Sequence, residues 1–91
     1  SHIKMSSSAL IKCQKQYETG TSIIWMFNAE NKRILQDIEY YKKKKNHHKV
    51  FLLTQMSNSC KNIIDSVSDT VDYIKSNIDD SISSYSDQNF K

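Results

Sequence analysis

The chain of 91 residues contains one glycine and no proline, and this scarcity restricts its architecture more than any other feature. Tight turns between strands, nucleotide-binding loops and proline-rich linkers all require one of these two residues. An all-helical fold and a disordered chain remain. Disordered chains combine low hydrophobicity with high net charge, whereas this chain is 37% hydrophobic and has a formal charge of +3. We therefore predict one all-α domain.

The first half of the chain repeats apolar residues with the spacing of a coiled coil. Ten positions follow one another at alternating intervals of three and four residues, and eight of them are apolar. They are Leu10, Cys13, Tyr17, Gly20, Ile24, Phe27, Asn31, Ile34, Ile38 and Tyr41. A heptad repeat of this length predicts a long helix with one apolar seam.

The second half carries a stripe with a mean spacing close to the 3.6 residues per turn of a helix. Its positions are Leu53, Met56, Cys60, Ile64, Val67, Val71, Ile74, Ile78, Ile82 and Tyr85. The run 42–49 between the two stripes is polar, and Asn46 is its best turn residue. Folding the chain back at residue 47 pairs the stripes and places Gly20 opposite Ile74.

We predict a long antiparallel, coiled-coil-like helical hairpin, with helices at about 8–44 and 49–85 and a turn at about 45–48. Residues 1–5 are interpreted as a cloning remnant or disordered start, and residues 87–91 as a frayed tail. The alternative is a three-helix bundle in which residues 19–22 break the first helix. Because the heptad phase passes undisturbed through Gly20, the unbroken helix is favoured.

Several apolar side chains fall outside the predicted seam, so a lone hairpin would leave them in water. Those predicted to bind a partner are Ile23, Trp25, Met26, Leu35 and Tyr73, with Tyr73 near Trp25. Two helices alone rarely bury enough apolar area to offset the conformational entropy lost on folding. We therefore expect oligomerisation or a partner to complete the hairpin to a four-helix bundle.

The expected function is that of a small non-enzymatic protein-interaction module, an adaptor or chaperone-like protein. It would bury its exposed apolar face against a partner protein, since tryptophan and tyrosine are frequent anchors of interfaces. The alternative is a self-assembling structural subunit, in which Trp25 and Met26 pack identical copies together.

Lysines cluster at the predicted turn: Lys42, Lys43, Lys44, Lys45 and Lys49. Positive charge at the carboxyl end of a helix stabilises it through the helix dipole, so a solvated helix end is the favoured interpretation. The alternative is a site for anions, either nucleic acid or an anionic membrane. Against nucleic acid, Arg33 is the single arginine of the chain.

No pattern of residues indicates catalysis or a metal site. His47 and His48 are adjacent, so on a helix they point about 100° apart, unlike the i,i+4 pairs that chelate metals. Asp65, Asp69 and Asp72 share a helical face, which we interpret as solvated and opposed by basic residues of the first helix. We expect a non-enzyme without cofactor, metal or small-molecule substrate, because no nucleophile, base and orienting group are recognisable together.

Two cysteines, Cys13 and Cys60, lie on the apolar stripes and are predicted to be small core residues instead of a disulfide pair. The chain shows no glycosylation sequon and no signal-peptide pattern. Its apolar runs are also far shorter than the ~18 residues of a membrane span. These features predict an intracellular, cytoplasmic location.

Overall fold

A computed structural model describes residues 5–89, which form two antiparallel helices, α1 Ser7–Lys43 and α2 His47–Asn89. The hairpin is a rod about 68 Å long and 19 Å wide, and no strand occurs between residues 5 and 89. The predicted all-α hairpin is therefore confirmed. Helix α1 runs unbroken through residues 19–22, so the three-helix alternative is wrong.

At the end of the hairpin opposite the loop, both helices extend beyond their predicted bounds. The backbone of α2 is helical to Asn89, so residues 87–89 of the predicted frayed tail belong to the helix, and residues 90–91 lie outside the described range. Residues 1–4 of the predicted remnant also lie outside it. Met5 is held on α2: its backbone N–H donates to Ser81 Oγ at 3.3 Å, and its carbonyl accepts from the Tyr85 hydroxyl at 2.6 Å.

The reversal takes three residues, Lys44 to Asn46, and each has a defined role. The N–H of Lys45 donates to Lys42 O and that of Asn46 to Tyr41 O, both at 3.0 Å, which is the Schellman arrangement at a helix end. Lys45 has a φ of 57°, the left-handed conformation this motif requires. Asn46 then caps the amino end of α2, because its side-chain oxygen accepts a hydrogen bond from Lys49 N at 3.2 Å.

The seam of α2 is a more regular heptad than the sequence analysis assigns. Ser57 and Ser81 are buried, with Ser57 only 2% exposed, whereas the predicted seam residues Met56 (52% exposed) and Ile82 lie on the surface. Replacing 56 by 57 and 82 by 81 makes every interval three or four residues in alternation, as in α1. Hydrophobicity alone selects the larger neighbours, but a serine fits the narrow space between two close helices.

The register of the hairpin also differs from the predicted one. Gly20 packs against Val71, three residues before the predicted Ile74. Deeper in the rod, the Ser57 hydroxyl donates to Asn31 Oδ1 at 2.5 Å, linking the helices at a second seam level. The difference arises because the three-residue loop begins and ends earlier than the predicted turn at 45–48.

The apolar core is thin. Its buried residues are Ile34, Ile38, Cys60, Val71 and Ile78. The cluster nearer the loop consists of Ile34, Ile38 and Cys60. Packed against it, partly buried, are Phe27, Val50 and Leu53. Both cysteines are free thiols, with Cys13 half-buried.

Between residues 5 and 85, whose side chains the structure describes, no ion pair joins the two helices. The pairs that form, Arg33 with Glu30 and Lys42 with Glu39, are both internal to α1 and exposed. The basic residues expected opposite Asp65, Asp69 and Asp72 therefore form no interhelical ion pair with them. Exposed pairs contribute only about 0–1 kcal/mol, so the register depends on the seam instead.

Gly20 is the position where a single methyl group tests this packing. Alanine in place of glycine inside a helix normally stabilises by about 1 kcal/mol. At Gly20 an added Cβ would overlap the Cγ2 methyl of Val71, so we expect Gly20→Ala to lower the free energy of unfolding by about 1–3 kcal/mol. Urea unfolding followed by circular dichroism measures the change.

The matched controls are Ser22→Ala, an exposed position on the same helix, and Gly20→Ala combined with Val71→Ala. The first should not destabilise the chain. In the second, the overlap is removed, so the alanine at position 20 should no longer destabilise relative to Val71→Ala alone. A more stable Gly20→Ala single variant would refute the close approach.

The hydrogen bond between Ser57 and Asn31 provides a second test of the register. Ser57→Ala and Asn31→Ala should each lower stability, and the double variant should lose less than the two losses combined, with a coupling of about 1 kcal/mol. A double-mutant cycle of urea unfolding measures that coupling. Strictly additive losses would place the two side chains out of contact.

Candidate functional site

A shallow groove follows the junction of the two helices along one side of the rod. Its terminal segment, which is farther from the loop, is lined by Gly20, Ile23, Val67, Thr70, Val71 and Ile74. Its tip-side segment, which is nearer the loop that joins the helices, is lined by Phe27, Glu30, Leu52, Met56, Cys60 and Ile63. On α1, Ile23 of the terminal segment and Glu30 of the tip-side segment are seven residues apart. On α2, Met56, Ile63 and Thr70 follow one another at the same interval, so the two segments lie on the same side of the hairpin.

The groove is almost without charge. Glu30 is the single ionisable carboxylate or cation among the residues that line its two segments. The Glu30 carboxylate already accepts a hydrogen bond from Arg33, and this bond, with the attraction between the two charges, raises the pKa of the Arg33 guanidinium. An uncharged, apolar strip is the composition found at the centre of protein interfaces.

Large apolar side chains in the groove remain open to solvent. Leu52, Met56 and Ile63 are all exposed although they line it. Met26 is exposed at the rim, where it shares a smaller depression with Phe27 and Glu30. Methionine suits such a surface because its flexible thioether adapts to different contacts.

The five predicted partner-binding residues do not form one surface. Ile23 lines the groove and Met26 lies at its rim. Leu35 is exposed about 120° around α1 from Ile23, on the other side of the seam.

Trp25 and Tyr73 lie on different sides of the rod. Trp25 is rotated by about 160° around α1 from the groove residue Ile23, so it faces away from the groove. Tyr73 follows the groove residue Ser66 by seven positions, so it lies on the groove side of α2. The two side chains are 74% and 66% exposed, respectively. Their placement argues against the expected proximity of Tyr73 to Trp25.

Sequence reasoning missed three residues of the groove: Leu52, Met56 and Ile63. Met56 was assigned to the seam, so its exposure was not anticipated. The signal that finds it is the strict alternation of three and four residues through Ser57, which moves Met56 out of the seam and beside Leu52 on the same side.

The lysines predicted to bind anions surround the loop, and three of them contact groups of the chain itself. Lys42 Nζ pairs with Glu39 at 3.5 Å. Lys44 Nζ lies 5.6 Å from the centre of the Tyr40 ring, and Lys49 Nζ lies 4.6 Å from that of Tyr41, whose hydroxyl is 3.1 Å away.

The side chains of two of these lysines, Lys43 and Lys45, are exposed and form no hydrogen bond or ion pair within the described chain. His47 and His48, in the first turn of α2, are exposed as well. The loop therefore presents a concentration of positive charge at one end of the rod.

Metal ligands do not converge in the described part of the chain. No group of three or more histidine, cysteine, aspartate or glutamate side chains between residues 5 and 85 could hold an ion. Asp65, Asp69 and Asp72 are all exposed on α2. Neither of the two described helices is apolar enough over sufficient length to cross a membrane.

Comparisons with models of protein families, with curated proteins and with solved structures find no match to this chain.

Proposed function

We propose that this chain is a non-enzymatic protein-interaction module, of an adaptor or chaperone-like kind, that binds an amphipathic helix of a partner protein in its groove. The observation that supports this function is the uncharged strip in which Leu52, Met56 and Ile63 stay exposed. A helix laid along such a strip would bury these side chains, each contributing about 25 cal/mol per Å² of apolar area covered.

The geometry of the groove specifies the chemistry of the partner. The terminal segment is centred near Gly20 and the tip-side segment near Asn31, eleven residues along α1, which corresponds to about 16 Å. Side chains eleven residues apart also share a face of a straight helix. The fitting partner is therefore a helix with two large apolar anchors at that spacing and no charge between them.

Self-assembly into a four-helix bundle is the second candidate, and the polarity of the rod favours it. Five lysines lie at residues 42–49, whereas Asp72, Asp79 and Asp80 lie toward the opposite end. A second copy packed antiparallel, groove against groove, would place the lysine-rich end of each copy beside these aspartates of the other. Such complementarity selects orientation more than it adds affinity.

The test uses a groove variant and an outer-face variant with similar changes. Met56→Lys with Ile63→Lys adds two charges to the groove, while Trp25→Lys with Leu35→Lys adds two to the outer face of α1 on the other side of the seam. Because all four positions are exposed, we expect the free energy of unfolding to change by only about 0.5 kcal/mol per site. Affinity capture from the source cells, followed by reconstitution with the purified partner, measures binding.

We expect the wild type and the outer-face variant to retain the same partner and to melt at a higher temperature with it, whereas the groove variant loses both effects. Capture that survives in the groove variant but disappears in the outer-face variant would assign binding to Trp25 and Leu35. A molar mass that rises with concentration by light scattering, and falls to that of one chain in the groove variant, would identify a second copy as the occupant.

A further inference from the structure

The loop that joins the helices places a lysine where the backbone favours glycine. Lys45 occupies the C′ position of the Schellman motif with a φ of 57°. A residue other than glycine or asparagine is disfavoured in this conformation, because its Cβ crowds the carbonyl oxygen. The charge of Lys45 is also added to those of its neighbours Lys43 and Lys44. Backbone preference and charge repulsion both oppose a lysine here.

The apex of the hairpin combines this charge with an apolar side chain. Phe51 is exposed in α2, five residues after Asn46, so it lies about 7.5 Å along the rod from the loop. That distance is within the roughly 5–10 Å depth to which apolar side chains of interfacial helices enter a membrane surface. Lys43 and Lys45, with no ion-pair partner in the described chain, are available to lipid headgroups.

We propose that the apex, residues 42–51, binds the surface of an anionic phospholipid membrane end-on. The lysine ammonium groups contact phosphate and carboxylate groups of the lipids, and Phe51 enters the headgroup layer. Lysines near such a surface each contribute about fivefold in affinity. The rod stands on the membrane through this end, and no part of either helix crosses it.

The same features are less suited to nucleic acid. Residues 42–49 contain no arginine, the side chain that binds phosphates and guanine edges in a bidentate manner. The rings of Tyr40 and Tyr41 pack edge-to-face. Lys44 lies over the Tyr40 ring and Lys49 over the Tyr41 ring, so a lysine covers one face of each ring on which a base would stack. The densest positive charge, five of the 13 lysine and arginine residues of the chain, lies at the end of the rod instead of along a face, with Glu39 beside it.

The experiment measures co-sedimentation with vesicles of phosphatidylcholine, with and without phosphatidylserine, at low and high salt. We expect binding only to vesicles with phosphatidylserine, weakened by salt. Replacing Lys43 and Lys45 by serine should reduce affinity about thirtyfold. The matched control replaces Lys12 and Lys15, exposed lysines near the other end of α1, and should bind as the wild type does.

Further variants separate charge from folding and from the groove. Lys45→Gly should raise the melting temperature and still weaken vesicle binding, which a purely structural role for Lys45 would not produce. Phe51→Ser should weaken binding with no change in its salt dependence. The groove variant Met56→Lys with Ile63→Lys should bind vesicles at least as tightly as the wild type, so this proposal and the proposed partner-binding function fail separately.

Three results would overturn the proposal. They are equal binding to vesicles without phosphatidylserine, equal loss of binding in the Lys12 and Lys15 control, and tighter salt-sensitive binding to single-stranded RNA than to the anionic vesicles. The last would assign the apex to nucleic acid.

Discussion

The close approach of the two helices at Gly20 determines much of what the hairpin exposes. At Gly20 no Cβ separates α1 from the Val71 methyl group, and the buried serines 57 and 81 occupy the seam at two further levels. Where the seam holds a small residue such as Ser57, its larger apolar neighbour Met56 lies outside it. The groove is thus a consequence of the tight packing, because the side chains that do not fit between the helices line their junction.

The sequence was sufficient to predict the hairpin, because that prediction needs only periodicity and the absence of helix breakers. Heptad spacing identified the seam of α1, and the polar run identified Asn46 as a turn residue, where it caps α2. The register and the groove could not be predicted with equal success. Polarity argued against Ser57 and hydrophobicity argued for Met56, yet Ser57 is the buried residue, hydrogen-bonded to Asn31 across the seam, and Met56 is exposed.

The same reasoning explains why the predicted partner-binding residues divide. Trp25 and Tyr73 were selected for being large and aromatic, but position around a helix decides which side chains can act together. Ile23 and Met26 are placed together with Met56 and Ile63 by the groove, whereas Trp25 faces away from it. Side-chain type identified candidates, and the helix junction determined which of them share a surface.

The bonds from Met5 to Ser81 and Tyr85 have a consequence for how the protein can be joined to other bodies. They hold Met5, just before α1, against the last turns of α2, so the two helices are joined at the end of the rod opposite Lys45. A fluorophore or a second domain attached to residues at that end would stand about 60 Å from the loop. The rod therefore keeps whatever is attached at that end at a fixed distance from the lysine-rich loop.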